Sequence, residues 1–326
     1  SEELNDWGLD TPDNWGEDED PENEESVKLS DKFIIPPFSV LDTRQGYWQD
    51  RKRHWKELIG DNGESREELI GSGGLTIDNK SNSWLTNPKK GGGVSLLDPV
   101  LSEISNRWFG IPNGKTFDCF AGDSVFGYVS DYLGNTFTGI ELRQEQVDLN
   151  NERLKGSKSK YICDDGRNVL THIEEKSQDL LFSCPPYFDL EVYSDLKNDA
   201  SNQKEYGAFL QILDTAFTNA IKCLKDNRFA VITVGDVRDK NGFYRGFVDD
   251  VKSMFVKYGM NHLNDLILIE PIAFGAIRAE GNMKNRKITK THQNVLVFYK
   301  GNPNEIKNIY PKLDFSDISE DESQDV

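Results

Sequence analysis

The chain has 326 residues, 36% of them hydrophobic and 29% charged, with a formal net charge of −18. That allows one large or two medium domains with a substantial core, and no run of 18 apolar residues is present to span a membrane. The charge sits at the ends: residues 1–26 hold 12 acids and no base, residues 314–326 hold 6 acids and no base, and the body between balances 38 acids against 38 bases. A neutral body neither supports nor excludes a nucleic-acid partner. No charged-then-apolar export pattern opens the chain, and the four cysteines (Cys119, Cys163, Cys184, Cys223) match no CxxC pair. They read as reduced thiols in a cytoplasmic protein, and the histidines show no metal-ligand spacing, so no metal is expected.

Residues 1–30 are acidic and rich in Asn, Asp, Pro and Gly, and read as a disordered tail; residues 314–326 read the same way. Residues 31–94 read as an extension. Its first part interleaves Arg44, Arg51, Lys52, Arg53 and Lys56 with Tyr47, Trp48 and Trp55. Trp48, Lys52 and Trp55 fall on one face of a helix. Two readings stand level: a DNA-contacting helix that uses Arg44, Arg51 and Arg53, or an amphipathic helix docked through its tryptophans. Residues 60–94, glycine- and asparagine-rich, read as a flexible connection.

From Ser95 to residue 313 helix and strand signals alternate. Helices are expected at 101–109, 124–133, 144–154, 167–173, 204–224 and 243–258. Strands are expected at 115–120, 136–142, 160–163, 179–184, 229–235, 266–269 and 293–299. This rhythm implies a parallel sheet covered on both faces. The last two strands have only a loop between them and should pair antiparallel.

The chemistry gathers at strand ends. The first strand runs into Asp118-Cys119-Phe120-Ala121-Gly122-Asp123, small residues that let backbone approach a ligand. No dinucleotide or triphosphate fingerprint is present. The second strand ends in Gly139-Ile140-Glu141-Leu142, with an acid placed to accept from ribose hydroxyls. The third ends in Cys163-Asp164-Asp165, placed to reach an amino group. The fourth, Asp179 to Cys184, stops at Pro185-Pro186-Tyr187, a stiff turn carrying a flat ring suited to a nucleobase. Singly, such acids cap helices; in register on successive strands they outline an adenosine-type pocket.

Phe117 to Gly122, Gly139-Ile140-Glu141, Asp164-Asp165 and Cys184-Pro185-Pro186-Tyr187 together resemble the ordered motifs of S-adenosylmethionine-dependent DNA amino-methyltransferases, the N6-adenine and N4-cytosine type. Ser95 to Leu101 resembles the segment of that family that closes over the cofactor. Phe38 to Asp42, Gly235 to Asp239 and Thr291 to Val297 are similar to stretches of phage-type DNA methylases. The likeness covers roughly residues 36–301. It implies an α/β, Rossmann-like class I methyltransferase fold with seven mostly parallel strands, an antiparallel last pair and helices on both faces. It also implies S-adenosylmethionine bound by Ser95, Asp98, Asp118, Phe120, Ala121, Gly122, Asp123, Glu141, Leu142 and Asp165. The target base would be flipped from double-stranded DNA onto Cys184, Pro185, Pro186 and Tyr187, in the cytoplasm of the host cell for a phage enzyme.

The family places Asp, Asn or Ser before the two prolines, where it helps hold the amino hydrogens; this chain has Cys184, and a thiol is a weak acceptor. Two alternatives follow: C5-pyrimidine modification with Cys184 as nucleophile, and a non-enzymatic DNA-binding protein that keeps the fold. The C5 enzymes place their cysteine after the proline, which keeps amino methylation ahead. For DNA phosphates the candidates are Arg238 and the base-rich stretch with Arg278, Lys284, Arg286, Lys287 and Lys290, expected as a long structureless loop.

Overall fold

The computed structural model describes residues 29–60, 70–71, 97–188, 191–192, 194, 196–272 and 275–316. Residues 38–312 form the main unit. Its elements in chain order begin with β1 (Val40–Asp42), α1 (Gly46–Ile59) and α2 (Pro99–Phe109). They continue with β2 (Lys115–Asp118), α3 (Val125–Tyr132), β3 (Thr136–Glu141), α4 (Gln144–Arg153), β4 (Lys160–Cys163), a 3-10 turn (Gly166–Thr171) and β5 (Gln178–Ser183). Then follow α5 (Tyr206–Cys223), β6 (Leu224–Val234), α6 (Phe247–Lys257), β7 (Asn261–Ile269), α7 (Gly275–Lys284) and β8 (His292–Lys300). The described parts of the other unit, residues 1–37 and 313–326, are a short helix (Leu29–Phe33) and its flank, with the Phe315 amide donating to the Lys32 carbonyl at 2.9 Å.

The strands lie in the order β1-β7-β8-β6-β5-β2-β3-β4. From β1 to β7 and from β6 through β4 neighbours are parallel; β8 runs antiparallel to both β7 and β6. The alternation of strand and helix produces this, since a parallel neighbour needs a crossover and an antiparallel one only a loop. The sheet has eight strands where seven are expected from the sequence. The additional one, β1, is three residues long, too short for a period to show, and it is fixed by the parallel ladder Val40 to Ile267 through Asp42 to Ile269. The base-rich connection between β7 and β8 is likewise not structureless: α7 occupies it.

All six residues of β5 are buried, as are the last six of β6, which places them at the sheet's centre, covered on both faces. The helix α5 covers one face with Phe209, Ile212, Leu213, Ala216, Phe217 and Ala220, the i, i+3, i+4, i+7 stripe of an amphipathic helix. A Pro at the first position and the Asp98 carboxylate, which accepts from the Val100 amide at 3.0 Å, start α2.

The tryptophan face of α1 is packed against α2. Trp48 and Trp55 are buried in the seam between α1 and α2. The buried Glu103 carboxylate accepts from Trp55 Nε1 at 2.7 Å and Arg107 Nε at 2.8 Å, and pairs with the Arg51 guanidinium. Arg51 is therefore a clasp between the two helices. Arg44 is tied to Asp42 at 2.7 Å and Arg53 to Asp50, both at the surface.

Candidate active site

In an open parallel sheet, ligands bind beyond the carboxyl ends of the strands where the order reverses. Here that point lies between β2 and β5, and a cavity of about 500 Å³ opens there. Of the residues singled out in the sequence, Asp98, Asp118, Phe120, Ala121, Gly122, Asp123, Glu141, Leu142, Asp165, Cys184, Pro186 and Tyr187 line it. Pro185 is buried behind the wall, and Ser95 lies outside the described residues.

The acids at the strand ends have distinct environments. The Asp118 carboxylate is buried and accepts from the Phe120 amide at 2.8 Å; burial pushes its pKa up to about 7, and the neighbouring Glu141 charge adds to the rise. Glu141 accepts from the amides of Gly122 (3.1 Å) and Arg143 (2.9 Å), yet burial still raises it to about 7. Asp165 behaves oppositely. Burial acts to raise it, but the Arg167 guanidinium, bound through Nε at 2.9 Å and a terminal nitrogen at 2.7 Å, together with Asn198 at 3.1 Å, holds it below its ordinary value. Asp123 caps the Val125 amide at 2.9 Å, and Asp98 accepts from Lys52 Nζ at 2.7 Å. Two desolvated carboxylates with raised pKa values suit a ligand that brings hydroxyl donors and positive charge.

On the other side of the cavity the fourth strand ends in Cys184, which is half-buried, and Tyr187. The Tyr187 hydroxyl donates to Gln293 Oε1 at 3.0 Å, Gln293 Nε2 donates to Glu270, and the ring meets Phe247 edge-on at 6.1 Å. Gly235, at the end of β6, leaves room for this arrangement: a Cβ there would lie 3.2 Å from Lys290 Nζ and 3.5 Å from the Tyr187 hydroxyl. Thr43, Thr233, Asp199, Glu270 and Gln293 also line the cavity and carry no role in the sequence reading. Gln293 lies within a stretch that resembles the family; Glu270 and Thr43 reach the site only because β7, β8 and β1 fold against each other.

The expected DNA-contacting residues divide. The Arg238 guanidinium stacks on Tyr244 at 3.8 Å and donates to the Gly242 carbonyl at 2.7 Å, while Asp236 accepts from the Val248 amide at 3.2 Å. Lys290 is half-buried, with burial holding its pKa down. Lys284 and Arg286 are exposed, and Lys287 covers Gly242. Among the described residues no group of three or more His, Cys, Asp or Glu could hold a metal ion, and no helix is long and apolar enough to cross a membrane.

The strand order, the reversed β8 and a cavity at the switch point give the chain a Rossmann-like α/β fold. Within it, residues 178–325, just under half of the chain, match the N6/N4 methyltransferase family, described as DNA methylase. Among solved structures, a proposed DNA modification methylase of Thermus thermophilus shares 23% identity over 45% of this chain and 53% of its own, with a TM-score of 0.33. Its complex with S-adenosyl-L-methionine aligns at 25% identity over 42% of this chain and 54% of its own, with a TM-score of 0.32. The chain thus spans about half the length of that protein. A TehB-like S-adenosylmethionine-dependent methyltransferase of Corynebacterium glutamicum shares 17% identity over 58% of this chain and 80% of its own, with a TM-score of 0.37.

Proposed function

We propose that this protein methylates the exocyclic amino group of adenine or cytosine in double-stranded DNA, with S-adenosylmethionine as the methyl donor. One observation carries the reading. The strand-end acids Asp118 and Glu141 share a single cavity with the Cys184-to-Tyr187 turn, and that turn lies in the segment matching the DNA methylase family.

The residues fit the donor: Glu141 would accept from its ribose hydroxyls, Asp118, Asp123 and Asp98 would offer carboxylates to its positive groups, and Phe120 and Leu142 would give apolar wall. When bound, S-adenosylmethionine supplies an electrophilic sulfonium methyl and departs as a neutral thioether. The base must leave the stack to reach it. Tyr187 offers the face on which the base lies, and its hydroxyl, anchored through Gln293 to Glu270, keeps the ring from turning. A backbone carbonyl of the Cys184-to-Pro186 turn would accept from the amino group so that the nitrogen lone pair points into the cavity; the amino proton is then lost to water. Placement in line accounts for much of the rate, because the methyl is already activated.

The DNA face lies around the end of β6 and the α7 connection, where residues 284–290 hold Lys284, Arg286, Lys287 and Lys290 and no acid. Arg238 braces the turn there, and Phe243, 73% exposed, stands at its tip. A DNA substrate and reduced cysteines fit work in the cytoplasm.

Methyl transfer from labelled S-adenosylmethionine to a mixed duplex library, followed by nucleoside mass spectrometry, tests the reading. N6-methyladenine or N4-methylcytosine supports it. 5-Methylcytosine makes Cys184 a nucleophile, and absence of transfer despite cofactor binding makes the protein a binder.

A further inference from the structure

A buried hydroxyl with no partner is less favourable than one that is satisfied. Such groups in a folded protein call for an explanation, and a missing ligand is one. Among the described residues a handful of buried side-chain nitrogen and oxygen atoms lack a hydrogen-bond partner, and Thr233 Oγ1 is the one that belongs to the wall of the active-site cavity. Thr233 is 2% exposed. It sits one residue before the end of β6, in the sheet's centre.

Its place relative to Cys184 gives it meaning. The parallel ladder pairs Ser183 of β5 with Ile232 of β6. Continuing that register by one residue sets Cys184, the first residue after β5, level with Thr233, and residues level with each other in a ladder project to the same side. Both line the cavity, together with Tyr187. A sulfur that accepts hydrogen bonds poorly therefore stands beside a hydroxyl oxygen with two lone pairs to offer.

We infer that Thr233 Oγ1 is the side-chain acceptor for the amino group of the target base, taking the part that Cys184 cannot fill. This rests on the amino-methylation reading above. In it, one amino hydrogen goes to the backbone of the Pro185-Pro186 turn and the other to Thr233 Oγ1, and the two together hold the nitrogen with its lone pair directed at the methyl carbon. The hydroxyl makes no covalent bond and takes no proton away; it acts by placement.

The experiment is steady-state methyl transfer to the duplex library by the wild-type protein, Thr233→Val, Thr233→Ser and the double variant Thr233→Val with Cys184→Asn. Valine keeps the shape of threonine and removes the acceptor. The expected result is a fall of about tenfold or more in kcat for Thr233→Val, the loss of one transition-state hydrogen bond. The dissociation constant for S-adenosylhomocysteine should stay near wild type and the thermal midpoint should not fall, since valine removes a buried hydroxyl that has no partner to lose. Thr233→Ser should keep most of the rate, and Cys184→Asn should restore much of what Thr233→Val loses. Wild-type rates in Thr233→Val overturn the inference while leaving the methyltransferase reading intact. So does a loss that serine does not spare, because the methyl group and not the oxygen then matters. An inactive wild-type protein overturns the parent reading and this inference with it.

Discussion

At the scale of single residues, Asp118 and Glu141 give the site a pH signature. Each carboxyl has a folded-state pKa of about 7, above its unfolded value, so the fold holds those protons more tightly than the unfolded chain does. The sign follows: stability is greatest at low pH as far as these two groups are concerned, and it is lost as pH rises from the ordinary carboxylate range through about 7. Denaturation midpoints of the ligand-free protein should fall across that window, and Glu141→Gln should flatten part of the fall. Cofactor binding has the opposite slope, because hydroxyls donate best to an ionised acceptor. S-adenosylmethionine should bind more tightly as pH rises through about 7, with proton release seen by calorimetry in buffers of differing ionisation enthalpy. Glu141→Gln should weaken that binding by about tenfold to a hundredfold, the worth of hydrogen bonds to a charged group. Cys184→Ser separates the chemistries: amino methylation survives it, whereas a covalent C5 route is abolished, with mass spectrometry of the methylated nucleoside as readout. Much of this residue set was legible in the sequence, since Asp118, Glu141 and Tyr187 follow strands recognisable by their apolar runs. Thr233, Glu270 and Gln293 were not, because an ordinary polar residue gains meaning only from what folding brings beside it.

Among the elements, α1 and the turn after β6 make separate claims. The helix α1 is held to α2 by one buried carboxylate, Glu103, shared by Arg51, Arg107 and Trp55. Glu103→Ala would leave two guanidinium groups and an indole without that acceptor. A loss of about 3–5 kcal/mol is expected from breaking such a buried pair, measurable as a shift in the urea midpoint at unchanged slope. The turn at residues 239–243 is stiff by comparison with its exposure. The Asp239 amide donates to the Phe243 carbonyl at 2.8 Å, Gly242 N to the Asp239 carbonyl at 2.9 Å, and Phe243 N to the Asp239 carboxylate at 2.9 Å. Gly242, at φ +89°, holds a conformation that residues with side chains rarely adopt, and the end of Lys287 lies over it. An exposed phenylalanine on so fixed a turn, beside a cationic loop, suits a wedge between base steps. Phe243→Ala should lower methyl transfer to duplex DNA several-fold more than transfer to the same library made single-stranded. The helix α7 shows why the sequence reading of that loop fell short: residues 275–284 have two glycines and no strong apolar stripe, so periodicity offered nothing to read.

For the whole molecule, the net charge of −18 belongs to the ends, so on the proposed function the body meets DNA with local clusters of base rather than a basic surface. Binding should therefore depend on salt through few phosphates, at roughly 0.9 in the log–log slope for each. Replacing both Lys287 and Lys290 by Gln should reduce that slope by about 2 if each meets one phosphate, as read by anisotropy titrations of labelled duplex at several salt concentrations. The sequence by itself determined the alternation of strand and helix, and with it the parallel sheet, the switch-point site and the antiparallel return of β8. Local pattern and connection length decide those features. It also marked the strand-end acids and the Pro-Pro-Tyr turn. Only the tertiary structure decided that Trp48 and Trp55 are packing residues and that Arg51 is a clasp. Only it added β1 as an eighth strand and brought Thr233 beside Cys184. The physical reason is the same in each case: partners far apart in the chain are chosen by which faces the sheet and helices bury together, and no local period records that choice.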